Sequence, residues 1–161
     1  MRISKPSLAL LPVALVLLAF AGPAPAVDTS YTTPAAADTL SAARSRIAEK
    51  DWPGAVSELR RVGDRASADW NNLLGYSLRK SGPANLAEAE RHYDEALRLD
   101  PKHRGALAYS GELYLMTGNL AKAEQRLATL DKACFLPCEE YRALQRAVAR
   151  YKERGNTYVA E

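Results

Sequence analysis

The chain has 161 residues, 25% of them charged and 47% apolar, with 22 Lys and Arg against 19 Asp and Glu. That length holds one domain with a modest core. So small a net charge gives no electrostatic case for nucleic acid, whose binding rests on neutralising many phosphates.

Arg2 and Lys5 precede an uncharged apolar run, Leu8 to Ala21, and "GPAPA" then ends in Ala24-Pro25-Ala26. Small residues stand at the two places a signal peptidase reads, so the layout predicts a secretory signal peptide over 1–26, cut before Val27. The run is shorter than the roughly 20 apolar residues that span a bilayer, and Pro12 interrupts it. No Cys lies near the cut to carry a lipid anchor, and no later run is long enough to cross a membrane. The expectation is a periplasmic or secreted protein with no stable membrane insertion. Losing Arg2 and Lys5 would leave 20 basic against 19 acidic residues. Residues 27–38, rich in Thr and Ala with no apolar period, read as a flexible leader.

From residue 39 to 155 the chain is rich in Ala, Leu, Arg and Glu and poor in β-branched residues, a composition that favours helix. The first helical pair spans about 39–66. Its segment "ARSRIAEKDWPGAVSELRRV" turns at Lys50-Asp51, and Pro53 falls in the first turn of the second helix, where it is tolerated. Ala55, Leu59 and Val62 follow at steps of four then three, which keeps them on one helical face. The second pair spans about 68–103: Gly75 sits mid-helix, Gly82 marks the turn, and Ala89, Tyr93 and Ala96 repeat the four-then-three spacing. The third spans about 104–133, with Gly111, a turn at Gly118, and Ala123, Leu127 and Leu130. Each of the last two turns is followed by Asn-Leu-Ala. A mid-helix glycine costs about 1 kcal/mol, so Gly75 and Gly111 predict close approach of another helix.

Self-similarity at this period resembles the tetratricopeptide repeat family. Leu74-Gly75, Gly82, Ala89, Tyr93, Ala96 and Pro101 match its pattern in one copy, and Gly111, Tyr114, Gly118 and Ala123 in the next. The departures are two extra residues in the "SGPANL" turn, Lys50 in place of a turn glycine, and Asn71 and Leu107 where the family carries an aromatic. The third copy also lacks the closing Leu-Asp-Pro. The resemblance implies an all-α fold, an α-solenoid of antiparallel helix pairs with about three repeats plus a C-terminal capping helix. It also implies a non-enzymatic scaffold that docks a segment of another protein, extended or helical, in a groove lined by the first helices. In that register the contacts are Asn72, Tyr76, Arg79 and Lys80, flanked by Arg44 with Leu40 on one side and by Glu112 and Leu115 with Ala108 on the other. Some family members clamp a partner's C-terminal carboxylate, but Leu40, Leu73, Gly105 and Tyr109 occupy places that would need polar or basic residues.

"KACFLPCEEY" then carries the two cysteines, Cys134 and Cys138. Their spacing is one residue longer than a thioredoxin-like site and no βαβ pattern surrounds them. A structural zinc site wants four ligands, and neither His92 nor His103 has ligand spacing to the pair. In an oxidising compartment an even cysteine count reads as a disulfide. Pro137 forces a turn, and a loop this short would contribute about 2 kcal/mol at most. The rival reading is a thiol, redox or copper protein acting through Cys134 and Cys138, since thiolates suit Cu(I), with Met116 as a further sulfur.

The last helix, about 138–154, presents Tyr141, Leu144, Val148 and Tyr151 as its apolar stripe, with Gly155 as its stop and residues 156–161 as a tail. A solenoid needs a terminal cap, and this helix suits the task. Arg142, Arg146, Arg150 and Arg154 step around it as a basic stripe, a second candidate surface for an acidic partner or lipid head groups. Glycine-rich phosphate loops, HExxH and a Ser-His-Asp order are absent from the sequence, so no enzyme and no cofactor is expected. An envelope-associated protein is the expected partner, and self-association through the exposed end of the array is a third reading.

Overall fold

The computed structural model describes residues 38–158. The expected signal peptide and leader, and the end of the tail, lie outside the described residues. Among the described residues are seven α-helices, one short 3-10 turn and no strand: α1 (Ser41–Ala48), α2 (Trp52–Val62), α3 (Ala68–Lys80), the turn Pro83–Asn85, α4 (Leu86–Leu99), α5 (Arg104–Met116), α6 (Leu120–Ala133) and α7 (Glu139–Glu153). Successive helices pair as α1–α2, α3–α4 and α5–α6, and α7 packs on both α5 and α6. This is the expected solenoid.

The helix boundaries follow from local chemistry. Asp51 caps α2 by accepting from the Gly54 N–H at 3.0 Å, Ser67 caps α3 through Trp70 N–H at 3.2 Å, and Asn119 caps α6 through Lys122 N–H at 3.1 Å. Each satisfies one of the orphan donors of a helix start. His103 does the same for α5: its Nδ1 accepts from Ala106 N–H at 3.1 Å, which leaves Nε2 as the donor to Asp69 Oδ1 at 3.0 Å. The turn between α5 and α6 uses Gly118 at φ +76°. The equivalent turn between α1 and α2 places Lys50 at φ +59°, so the lysine adopts the left-handed backbone that glycine would take more cheaply. The two extra residues before α4 wind into the 3-10 turn.

Within the core, Ala55, Leu59, Ala89, Tyr93, Ala96, Ala123 and Leu130 are fully buried, as their spacing predicts, and Leu127 is half-buried. Gly75 lets α4 close in: a Cβ there would stand 3.0 Å from the Tyr93 ring and 3.1 Å from the Ala89 carbonyl oxygen. Gly111 serves a different neighbour. A Cβ at 111 would meet Leu144 of α7, at 2.5 Å from Cδ2. Trp70 joins the first two pairs by donating its indole N–H to the Leu59 carbonyl at 2.6 Å. Asn71, where the family has an aromatic, donates to the Arg65 and Ser67 carbonyls at 2.9 Å each and meets His92 Nδ1 at 3.0 Å. On the opposite side, ion pairs step from each second helix to the next: Arg60–Glu88 at 3.0 Å, Lys122–Glu90 at 3.2 Å and Arg126–Asp94 at 2.9 Å. These pairs link neighbouring second helices across the outer face, each contributing little because its charges are largely exposed.

Candidate functional site

α3, α5 and α7 enclose a cavity of about 180 Å³, walled by Tyr76, Arg79 and Lys80 of α3, Tyr109 and Glu112 of α5, and Ala147, Arg150 and Tyr151 of α7. Arg154, Thr157 and Tyr158 complete the wall. The last two arrive through a reversal: Gly155 at φ +63° and Asn156 at φ +65° turn the chain back from α7, with Asn156 N–H donating to the Tyr151 carbonyl at 2.9 Å. Both residue types tolerate the left-handed region.

The floor is aromatic and cationic. Trp52 meets Tyr76 edge-on with centroids 5.8 Å apart, and Tyr76 meets Tyr109 at 4.6 Å. The Arg79 guanidinium lies 5.6 Å from the Tyr76 centroid and 5.8 Å from that of Tyr109, a cation–π arrangement. It also pairs with Glu112 at 2.9 Å and reaches Met116 Sδ at 3.7 Å. Burial works against its charge, but the Tyr93 hydroxyl and Glu112 outweigh burial and hold Arg79 protonated above its ordinary range. Burial raises the Tyr76 hydroxyl, opposed by Arg79. Burial also raises Tyr109, with Tyr76 and Glu112 adding to it. Both hydroxyls therefore stay protonated and able to donate. Lys80 Nζ stands 5.9 Å from the Trp52 centroid.

Four of the expected contact residues converge on this cavity: Tyr76, Arg79, Lys80 and Glu112. Three do not line it, and burial corrects several others. Leu115 is 1% exposed and belongs to the core, as do Leu40 and Ala108. α5 is apolar on nearly every side because α3, α4, α6 and α7 all cover it, so only Tyr109 and Glu112 reach the cavity. Asn72 is 7% exposed, with its amide against Gly105. Arg44 is bound to Asp38 at 2.7 Å and lies 3.8 Å from Asp69. Arg79 is itself 4% exposed, so it supports the site as a buried charge and does not protrude as a contact. Reversing it would set two carboxylates together, which makes it unsuitable for probing the groove.

In the sequence the inner groove and the basic stripe of the last helix stand as separate surfaces; in the structure Arg150 and Arg154 share one wall with Lys80. Tyr109, Tyr151, Thr157 and Tyr158 are also missed. One signal was present: Gly75, Gly111 and Ala147 stand 36 residues apart in turn, which marks α7 as the first helix of a further repeat as well as a cap.

The sulfur atoms of Cys134 and Cys138 stand at bonding distance, with Cα atoms 5.9 Å apart. Phe135 and Leu136 between them are the exposed large apolar side chains among the described residues. Met116 turns its sulfur to Arg79, and no group of three His, Cys, Asp or Glu gathers among the described residues.

Residues 83–148 match the Tetratricopeptide repeat family, so the resemblance carried by the glycine turns and buried alanines stands. The Yersinia enterocolitica type III secretion translocator chaperone SycD superposes with a TM-score of 0.63 at 17% identity, over 74% of this chain and 84% of its own. SycD in complex with a peptide of the translocator YopD gives 0.59 at 19% identity, over 72% and 88%. No curated protein matches the chain in sequence. At such identities the likeness is one of fold.

Proposed function

We propose that this protein is a non-enzymatic, exported interaction scaffold that docks a segment of another protein against α3, α5 and α7. The observation that carries this reading is the cavity itself. Its volume of about 180 Å³ falls below the roughly 300–1,000 Å³ usual for small-molecule pockets and suits one or two anchoring side chains. Its wall combines Tyr and Arg, the residue types that dominate binding hot spots. SycD, of the same fold, is known in complex with a peptide of a translocator, which favours peptide recognition here too. The export reading rests on the N-terminal sequence and on the cysteine pair, which suits an oxidising compartment.

Site-specific photo-crosslinking tests the docking. A photoreactive side chain at Lys80 or Tyr109 should capture a discrete partner in the native envelope fraction, whereas one at the exposed Arg91 of α4 should not. Capture from α4 alone, or from neither face, would remove the groove reading.

A further inference from the structure

The cavity wall carries four cations, Arg79, Lys80, Arg150 and Arg154, and one carboxylate, Glu112. Glu112 is committed to Arg79 at 2.9 Å, so the acid in the wall answers the cation in the floor. Lys80 comes from α3, Arg150 from α7 and Arg154 from the residue that ends α7. Two helices that are distant in sequence thus bring like charges to the same opening. Tyr76, Tyr109 and Tyr151 stand in the same wall.

Resting on the proposed docking function, we infer that the cavity receives an Asp or Glu side chain from an acidic segment of the partner protein. Lys80 and Arg154 meet its charge, and the Tyr76–Tyr109 pair forms the apolar surface under its stem. At about 180 Å³ the cavity has room for a carboxylate side chain. Nucleic acid is disfavoured because its affinity needs a track of phosphate contacts, and here the cations gather at one opening. A flat bilayer is disfavoured because these cations line a recess between helices and not an outer face. Charge complementarity of this kind sets partner choice and the rate of encounter more than raw affinity.

Fluorescence anisotropy with the full chain tests the inference, using three labelled peptides of one length: Glu-rich with interspersed Leu, the same with Gln for Glu, and the same with Lys for Glu. The Glu peptide should bind about ten-fold tighter than the Gln peptide, and the gap should close as salt screens it. It should also close in the Lys80→Gln, Arg154→Gln variant, whose two positions are at the cavity rim and outside the core. Circular dichroism would show that the variant stays folded. Equal binding of the Glu and Gln peptides, both weakened by Tyr109→Ala, would overturn the acidic preference and leave groove docking standing. No binding by any peptide, alongside a groove crosslink to the native partner, would likewise overturn it. Vesicles containing anionic phospholipid that outcompete the Glu peptide, with the same loss in the double variant, would reassign the cations to lipid and overturn it.

Discussion

Leu144 of α7 lies over Gly111 of α5 with no room for a methyl group between them. An ideal Cβ at 111 would stand 2.5 Å and 2.7 Å from the two Leu144 methyl carbons. The mid-helix glycine of the third pair therefore admits the last helix, whereas Gly75 admits its own pair's Tyr93.

Gly111→Ala should accordingly destabilise the fold by about 1–3 kcal/mol, the usual range for overpacking. Were the position open, alanine's better helix propensity would stabilise by about 1 kcal/mol. Urea unfolding distinguishes the two by sign. Leu144→Ala in the same background should recover part of the loss while showing the coupling expected of residues in contact.

Lys50 gives the opposite prediction. Its φ of +59° carries the cost of about 1–2 kcal/mol that a side chain pays in the left-handed region. Lys50→Gly should raise stability by about 1 kcal/mol or somewhat less, because glycine also loosens the unfolded chain. Gly118→Ala, at φ +76°, should lower it by a similar amount. Thermal melts of the two variants should move in opposite directions.

Glu112→Gln removes the carboxylate that faces the buried Arg79. Breaking a fully buried pair costs about 3–5 kcal/mol, but the Glu112 side chain keeps 23% of its surface exposed. Water screens part of the interaction, and a loss of about 2 kcal/mol is expected. Arg79→Met added to Glu112→Gln should restore most of it, since no uncompensated charge then remains inside.

His92 supplies a pH dependence. Burial lowers its proton affinity; Glu88 opposes this, and Arg91, Arg60 and Arg65 add to it. The folded-state pKa thus lies below the unfolded value, so the unfolded chain binds the proton first. The associated stability is fully present above the ordinary imidazole value of 6.5 and is lost as pH falls from there through the depressed folded value. Unfolding midpoints measured across that window should fall with pH, and fall less steeply in His92→Gln. An unchanged slope would show that another group dominates.

The helix pairs were readable because their signals are local: a glycine or capping residue at each turn, and small side chains at steps of four and three. Tyr76, Arg79, Lys80 and Glu112 were readable for the same reason, since they follow the register of the first helices. The rest depended on which helix covers which. Leu115 keeps that register yet is enclosed because α5 has neighbours on nearly all sides. Arg150 and Arg154 reach the cavity because α7 takes the place of a first helix, legible only from the interval separating Gly111 and Ala147. Thr157 and Tyr158 join the wall through two consecutive left-handed residues, and Gly155-Asn156 in sequence suggests a stop without giving the direction of the chain beyond it.

That reversal has a practical corollary for anyone handling the protein. Because Tyr158 forms part of the cavity wall, an affinity tag, fluorophore or fused domain joined directly to it would emerge beside the opening and compete with whatever docks there. Immobilisation through an engineered cysteine on the outward side of α4 or α6 would leave the recess unobstructed.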